Sequence, residues 1–338
     1  MLMRIAVLGA GSWGTTLALH LDSKGESVCL WDGSDEHLES LVKLRENKRY
    51  LPGIAIPDRI SIIPSLDDCV AEDDLLVMAV PSHAVREVCR KISLMTKRIN
   101  IVSASKGLED GTLKRLSLVI NEELPGSRVC VLSGPSHAEE VSMGMPAAVV
   151  VSSEDMEFAR SMQELFASES FRVYTNSDLP GVELAGALKN VIAIACGISD
   201  GLGFGDNTKA ALLTRGLVEI SRLGVAMGAK LGTFSGLAGM GDLFTTCSSR
   251  HSRNRKFGEL LAAGRSAKEA AGEIGQVVEG IKTCVSAHKL AKVYGVEAPI
   301  TDQVYEVIAM GKSPREAAAD LMLRMPRGEQ EDKFLGRA

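Results

Sequence analysis

The segment Gly9-Ala-Gly11-Ser-Trp-Gly14 constrains this chain more than any other feature. It follows an apolar run at 4–8 and opens a helical pattern at 12–23, and Asp32 stands eighteen residues after Gly14 at the end of the next apolar run. Each glycine has a mechanical task. Gly9 makes a tight turn, Gly11 lets the backbone approach a pyrophosphate, and Gly14 lets helix pack on strand. The helix N-terminus then offers N–H groups to phosphates. Strand, turn, helix and downstream acid agree, so the segment predicts a dinucleotide site. Asp32 suits a ribose hydroxyl, and no Arg or Lys follows at 33–36 to hold a 2′-phosphate, which favours NAD over NADP. The other reading of Asp32 is a residue that starts the next turn.

The first half repeats this rhythm. Runs at 28–31, 75–80, 100–103 and 129–132 join the one at 4–8, and none alternates polar with apolar, as suits strands buried on both faces. Helical stretches at 12–23, 37–45 and 82–93 lie between them, which predicts an α/β fold with a doubly wound (Rossmann-type) parallel sheet. A further strand pair, 147–151 and 171–174, flanks a helix at 155–167, and the sheet is expected to end near Thr175. After a turn-rich stretch at 176–181, strand runs disappear. Helices are predicted at 182–198, 209–227, 255–263, 267–274, 282–294, 301–310 and 314–324. The expected organisation is a dinucleotide-binding domain at 1–178, an all-helical substrate-binding domain at 179–326, and a charged tail at 327–338 without periodicity, expected to be poorly ordered.

Composition removes several classes of function. A length of 338 residues suggests two domains. Lys+Arg 38 against Asp+Glu 43 leaves a net charge of −5, which argues against a dedicated nucleic-acid partner. The seven cysteines are widely spaced and form no metal-ligand pattern, so they read as small buried hydrophobes of a reducing cytoplasm, and no metal is expected. The most membrane-like run, 184–199, holds sixteen residues with Lys189 and Asn190 near its middle, short of the roughly 20 that a span needs. It reads as a core helix. The apolar run after Arg4 dissolves into glycines within ten residues, unlike a signal peptide.

Three features in the second half suggest chemistry. Lys189 is the only charged residue at 184–199, bordering an apolar stripe of Leu184, Leu188, Val191 and Ala195 and a small-residue face of Gly186, Asn190, Ala193 and Gly197. Burial there would lower its pKa toward the range useful for proton transfer, whereas a lysine that snorkels to solvent would do no chemistry. The glycine-punctuated loop 235–242 delivers Asp242, either to orient Lys189, to bind a substrate hydroxyl, or to cap a helix. The segment Arg250-His-Ser-Arg-Asn-Arg-Lys256 concentrates four permanent positive charges just before a predicted helix. A small phosphorylated ligand fits it better than RNA, because only Phe257 could serve as an aromatic platform, and a solvated charge run is the third reading.

Taken together, separated blocks resemble one family. They are 9–14, Tyr50-Leu-Pro-Gly53, Val80-Pro-Ser82, Ser105-Lys-Gly-Leu108, Ser133-Gly-Pro-Ser136 with Ala138-Glu139, Leu188-Lys-Asn190, Asn207-Thr-Lys209, Gly239-Met-Gly-Asp242, Ser252-Arg-Asn254 and Val278-Glu-Gly280. In this order the chain resembles the bacterial NAD(P)-dependent glycerol-3-phosphate dehydrogenases from Gly9 to about Met322. The resemblance implies reversible hydride transfer between NAD(P)H and dihydroxyacetone phosphate, giving sn-glycerol 3-phosphate for phospholipid synthesis. It further implies a homodimer, while the cytoplasmic location and the absence of a membrane partner are expected from the cysteine usage and the short apolar run at 184–199. By the same resemblance Lys189 is the general acid/base, Lys106 a second ammonium touching substrate and cofactor, and Asp242 and Asn190 the holders of the reacting hydroxyl and the lysine. Ser252, Arg253 and Asn254 would hold the phosphate, while Gly134 and Ser136 line the substrate pocket. Ser12, Trp13 and Ala138 would lie beside the cofactor, which Arg253, Val277 and Glu279 also reach. Where many relatives carry a basic residue after the second strand, this chain has Asp32-Gly33, which weighs against NADP(H).

Overall fold

Alternate residues of each early strand enter two different cores, which is why the strand sequences carry no polar alternation. Ile5, Val7, Leu75, Val77, Val102, Cys130 and Leu132 lie in one apolar cluster, with Leu17, Leu21, Phe158 and Phe166 from helices on that face. Their neighbours Ala6, Leu8, Leu76, Met78, Ile101 and Val129 lie in a second cluster, with Leu38, Val85, Ile92 and Ile120. A sheet with helices over both faces follows directly.

A computed structural model describes residues 3–70, 75–96, 98–326 and 328–329. Its strands are β1 (Arg4–Leu8), β2 (Ser27–Trp31), β3 (Ser61–Ile62), β4 (Leu75–Met78), β5 (Asn100–Ser103), β6 (Arg128–Ser133), β7 (Ala147–Ser152) and β8 (Phe171–Asn176). They form one sheet in the order β3-β2-β1-β4-β5-β6-β7-β8. Pairing is parallel from β3 to β6, with Leu8 beside Trp31 on one side and Met78 on the other. Strand order reverses between β1 and β4, the switch point at which such sheets bind ligands beyond their carboxyl ends. The sheet is not wholly parallel: β7 runs antiparallel to β6, and β8 follows β7. β8 is the edge, and its exposed Arg172 and Tyr174 alternate with buried Phe171 and Val173.

The chain divides into two compact units, Met1–Ala187 with Gly232–Asp242, and Leu188–Leu231 with Leu243–Ala338. The sequence puts the boundary at 178–179, where the long helix Leu179–Gly201 begins, whereas the units divide partway along that helix. Its first turns belong with the sheet, for a Cβ at Gly186 would lie 2.8 Å from Ser133 Oγ at the end of β6. The helix has the length and apolarity of a membrane span, yet 94% of its most apolar window is buried, as a core helix requires. All seven cysteines are buried thiols. Of the predicted tail, only 328–329 lie within the described residues.

Candidate active site

The glycine turn after β1 is built by crowding on two sides and openness on the third. Gly9 has φ +108°, and a Cβ there would lie 2.7 Å from the backbone of Ala79 and Val80 beyond β4. At Gly14 a Cβ would fall 1.8 Å from the Gly9 carbonyl oxygen, whereas nothing lies within 4 Å of one at Gly11. The helix Ser12–Ser23 starts with no side-chain cap and no acid in its first turn. The following helix, Asp35–Leu44, is capped by Ser34 and begins with Asp35 and Glu36. The first end therefore fits an anion and the second does not.

Asp32 starts the next turn, as one of its two sequence readings expects, and has a second task that the sequence does not announce. One oxygen accepts from the Ser34 N–H at 3.1 Å and starts the next turn; the other accepts from the Ala10 N–H at 2.8 Å and ties the glycine turn to β2. Lone pairs remain on both oxygens for a ribose hydroxyl. Beside the turn, the Ala138 carbonyl accepts from Thr16 Oγ1 at 3.2 Å, and Trp13 lies 6.4 Å from Phe171 in a tilted ring contact.

A second cluster in the sheet unit centres on Lys106, just beyond β5. Its ammonium donates to Asp242 Oδ2 at 2.6 Å and to the Gly134 carbonyl at 3.1 Å, which also accepts from Ser136 Oγ at 3.1 Å. Gly134 has φ +129°, and a Cβ there would come within 3.0 Å of Val149 Cα, so this turn needs glycine. Asp242 arrives on a single π-helical turn, Leu237–Gly241, in which a Cβ at Gly239 would strike the Phe234 carbonyl oxygen at 2.1 Å. With φ −72° and ψ −32°, Asp242 is already helical, the first residue of Asp242–Ser248. The helix-capping reading of this residue is therefore corrected, since a cap needs extended backbone.

In the helical unit, Lys189 is 5% exposed and its ammonium donates to Thr246 Oγ1 at 2.6 Å. The small-residue face next to it admits another helix: a Cβ at Gly197 would lie 1.9 Å from the Arg255 carbonyl oxygen, and one at Gly258 would lie 2.2 Å from that of Ile194. This crossing brings Asn254 Nδ2 within 3.0 Å of Asn190 Oδ1, while Asn254 Oδ1 accepts from the Gly280 N–H at 2.9 Å. Ser252 caps the helix Arg253–Ala262, Arg253 donates to the Val277 carbonyl at 3.0 Å, and Glu279 opens the helix Glu279–Tyr294. The basic run is divided in task. Arg255 pairs with Asp200 at 2.6 Å and Glu259 at 2.9 Å, so part of its charge is used within the unit.

The sheet unit thus gathers Gly9, Gly11, Ser12, Trp13, Gly14, Asp32 and Ala138 around one turn, and Lys106, Gly134, Ser136 and Asp242 around one ammonium. The helical unit joins Lys189 to Thr246, Asn190 to Asn254, and Arg253 to Val277. Thr246 is absent from the sequence expectations. Its signal is only its place one helical turn after Asp242. Among the described residues no three His, Cys, Asp or Glu side chains cluster as metal ligands would.

The chain matches the NAD-dependent glycerol-3-phosphate dehydrogenase N-terminus over residues 4–159 and the C-terminus of the same description over 178–319. The glycerol-3-phosphate dehydrogenase [NAD(P)+] of Clostridium acetobutylicum is 50% identical over 326 residues, covering 96% of this chain and 98% of that protein. The crystal structure of glycerol-3-phosphate dehydrogenase from Coxiella burnetii is similar with TM-score 0.93 and 40% identity, over 96% of this chain and 99% of that one. The yeast glycerol-3-phosphate dehydrogenase GPD1 gives TM-score 0.80 and 30% identity, covering 96% and 100%.

Proposed function

Because this chain belongs to the NAD-dependent glycerol-3-phosphate dehydrogenase family, we propose that it transfers hydride reversibly between NAD(P)H and dihydroxyacetone phosphate, giving sn-glycerol 3-phosphate. Gly9, Gly11, Ser12, Trp13, Gly14, Asp32 and Ala138 hold the dinucleotide, with Lys106, Arg253, Val277 and Glu279 as further contacts. The open flank at Gly11 and the uncapped, acid-free helix start support that fit. Bound nicotinamide supplies the hydride.

Lys189 gives a proton to the C2 oxygen during reduction and takes it back during oxidation, while Thr246 Oγ1 holds its ammonium in place. Asp242 and Asn190 orient the reacting hydroxyl, and Lys106 places a fixed positive charge beside it. Ser252, Arg253 and Asn254 grip the phosphate, with Gly134 and Ser136 along the pocket. Phosphate grip away from the reacting carbon helps to align it. On this reading 1–178 is the dinucleotide-binding part and 179–326 the substrate-binding part. The protein works as a cytoplasmic homodimer feeding phospholipid synthesis, and a solution mass of twice 36.0 kDa would agree.

The observation that carries the proposal is Lys189, which is only 5% exposed and whose ammonium donates to Thr246 Oγ1. Buried lysines are rare, and the cost of desolvating one is repaid where a proton must move. The test is oxidation of NADH by dihydroxyacetone phosphate against ketopantoate, and reduction of NAD+ by 6-phosphogluconate, repeated with NADPH and NADP+. Turnover confined to dihydroxyacetone phosphate is expected, and turnover confined to either acid would overturn the substrate assignment.

A further inference from the structure

Ala10, between the first two glycines of the turn, is held at both its N–H and its carbonyl. Its N–H donates to Asp32, and its carbonyl accepts from Asn47 Nδ2 at 2.8 Å and from His37 Nε2 at 3.0 Å. A carbonyl only accepts, so His37 carries its proton on Nε2. Asn47 is 0% exposed and comes from the segment between the helix Asp35–Leu44 and β3, a stretch that includes the Tyr50-Leu-Pro-Gly53 block to which no role has been given. Its Nδ2 also donates to Thr15 Oγ1 at 2.8 Å, and its Oδ1 accepts from the Tyr50 N–H at 3.1 Å. Thr15 Oγ1 reaches back to the Ala10 carbonyl at 3.5 Å. His37 is 6% exposed and meets the Tyr50 ring edge-on at 5.0 Å.

Both side chains converge on the Ala10 carbonyl, which belongs to the peptide joining Ala10 to Gly11, the residue just before the helix Ser12–Ser23. Left to itself such a turn is mobile, because glycine restricts the backbone least. Its N–H groups can receive an anion without reordering only if the plane between the glycines is fixed beforehand. We propose that Asn47 and His37 are positioning residues for the dinucleotide, acting through the Ala10 peptide to keep the turn and the first turn of the helix Ser12–Ser23 in the pose that accepts the pyrophosphate. This rests on the reading of the glycine turn as the dinucleotide site. The pyrophosphate is common to NADH and NADPH, so the clamp strengthens both alike and leaves specificity to Asp32 and its neighbours.

The test is steady-state kinetics of His37→Ala, His37→Gln and Asn47→Ala beside wild type, with melting temperatures as a check on folding. Losing a donor to the clamp should raise KM for NADH and for NADPH equally, by about fivefold to tenfold, the equivalent of one neutral hydrogen bond. The Michaelis constant for dihydroxyacetone phosphate, and kcat at saturating cofactor, should stay within about twofold. In His37→Gln the amide nitrogen stands where Nε2 stood, and cofactor KM should return toward wild type. If Asn47→Ala does not fold, the His37 pair decides the matter alone. Unchanged cofactor KM in His37→Ala, or a fall in kcat with no rescue by His37→Gln, would overturn the proposal. A wild-type protein that neither binds nor oxidises NADH would bring down the functional reading as well, whereas normal wild-type kinetics with indifferent variants would bring down the clamp alone.

Discussion

Two ammonium groups, that of buried Lys189 and that of half-buried Lys106, are each held by hydrogen bonds. Lys106 faces the carboxylate of Asp242, which matches its charge, whereas Lys189 is held by the hydroxyl of Thr246. On the proposed mechanism, a hydrogen bond that fixes the Lys189 ammonium keeps it aimed at the oxygen with which it exchanges a proton. Thr246→Val should therefore lower kcat about tenfold, as expected for one hydrogen bond to a charged group, and leave the KM for NADH unchanged. Arg253→Ala should chiefly raise the KM for dihydroxyacetone phosphate, by about tenfold or more, the loss of one charge-assisted contact. Unchanged substrate saturation would remove Arg253 from the phosphate site. Lys189 and Asp242 are legible in sequence because a charge in an apolar or glycine-rich setting needs a reason. Thr246 is not, since a threonine inside a helix carries no local mark. Nor is the bridging task of Asn254, which depends on a partner sixty-four positions away.

At the scale of elements, glycine contacts fix how helices cross. Gly197→Ala or Gly258→Ala would drive a Cβ into backbone at 1.9 Å or 2.2 Å, where no side chain can move aside. Each should cost at least about 1–3 kcal/mol in denaturant unfolding. Gly272 provides the opposite case: it lies exposed in the helix Ala267–Ile274 with nothing within 4 Å of its would-be Cβ. Gly272→Ala should stabilise by about 0.5–1 kcal/mol through helix propensity alone. The same physics explains what could be read beforehand. Long strands buried on both faces announce themselves as unbroken apolar runs, but β3 has only two residues and Leu66–Val70 only five, too few for any period. Strand direction is not written in hydrophobicity. The antiparallel turn from β6 to β7 follows from a connection holding only the short helix Ala138–Ser142.

Across the whole molecule, one buried carboxyl couples stability to pH. Glu219, in the helix Asp206–Ala226, accepts from the Ile300 N–H, the Thr301 N–H and Thr301 Oγ1 at the start of the helix Pro299–Met310. Burial pushes its pKa up to about 7 against these donors, which pull it down, with Asp302 nearby raising it further. Its folded pKa therefore exceeds its unfolded value, the native state binds the extra proton, and stability is lost as pH rises from the ordinary carboxyl range through about 7. Glu219→Gln has no proton to lose. Wild type should therefore lose roughly 3 kcal/mol relative to that variant between about pH 4.5 and pH 8, because a tenfold change in proton affinity is worth about 1.4 kcal/mol. Parallel pH profiles for the two proteins would show that Glu219 does not titrate there. The most direct test of the account is turnover of dihydroxyacetone phosphate by Lys189→Ala, measured beside its affinity for NADH. The account predicts kcat lower by about 10²–10⁴-fold with NADH binding intact; near-normal kcat in that variant would contradict it.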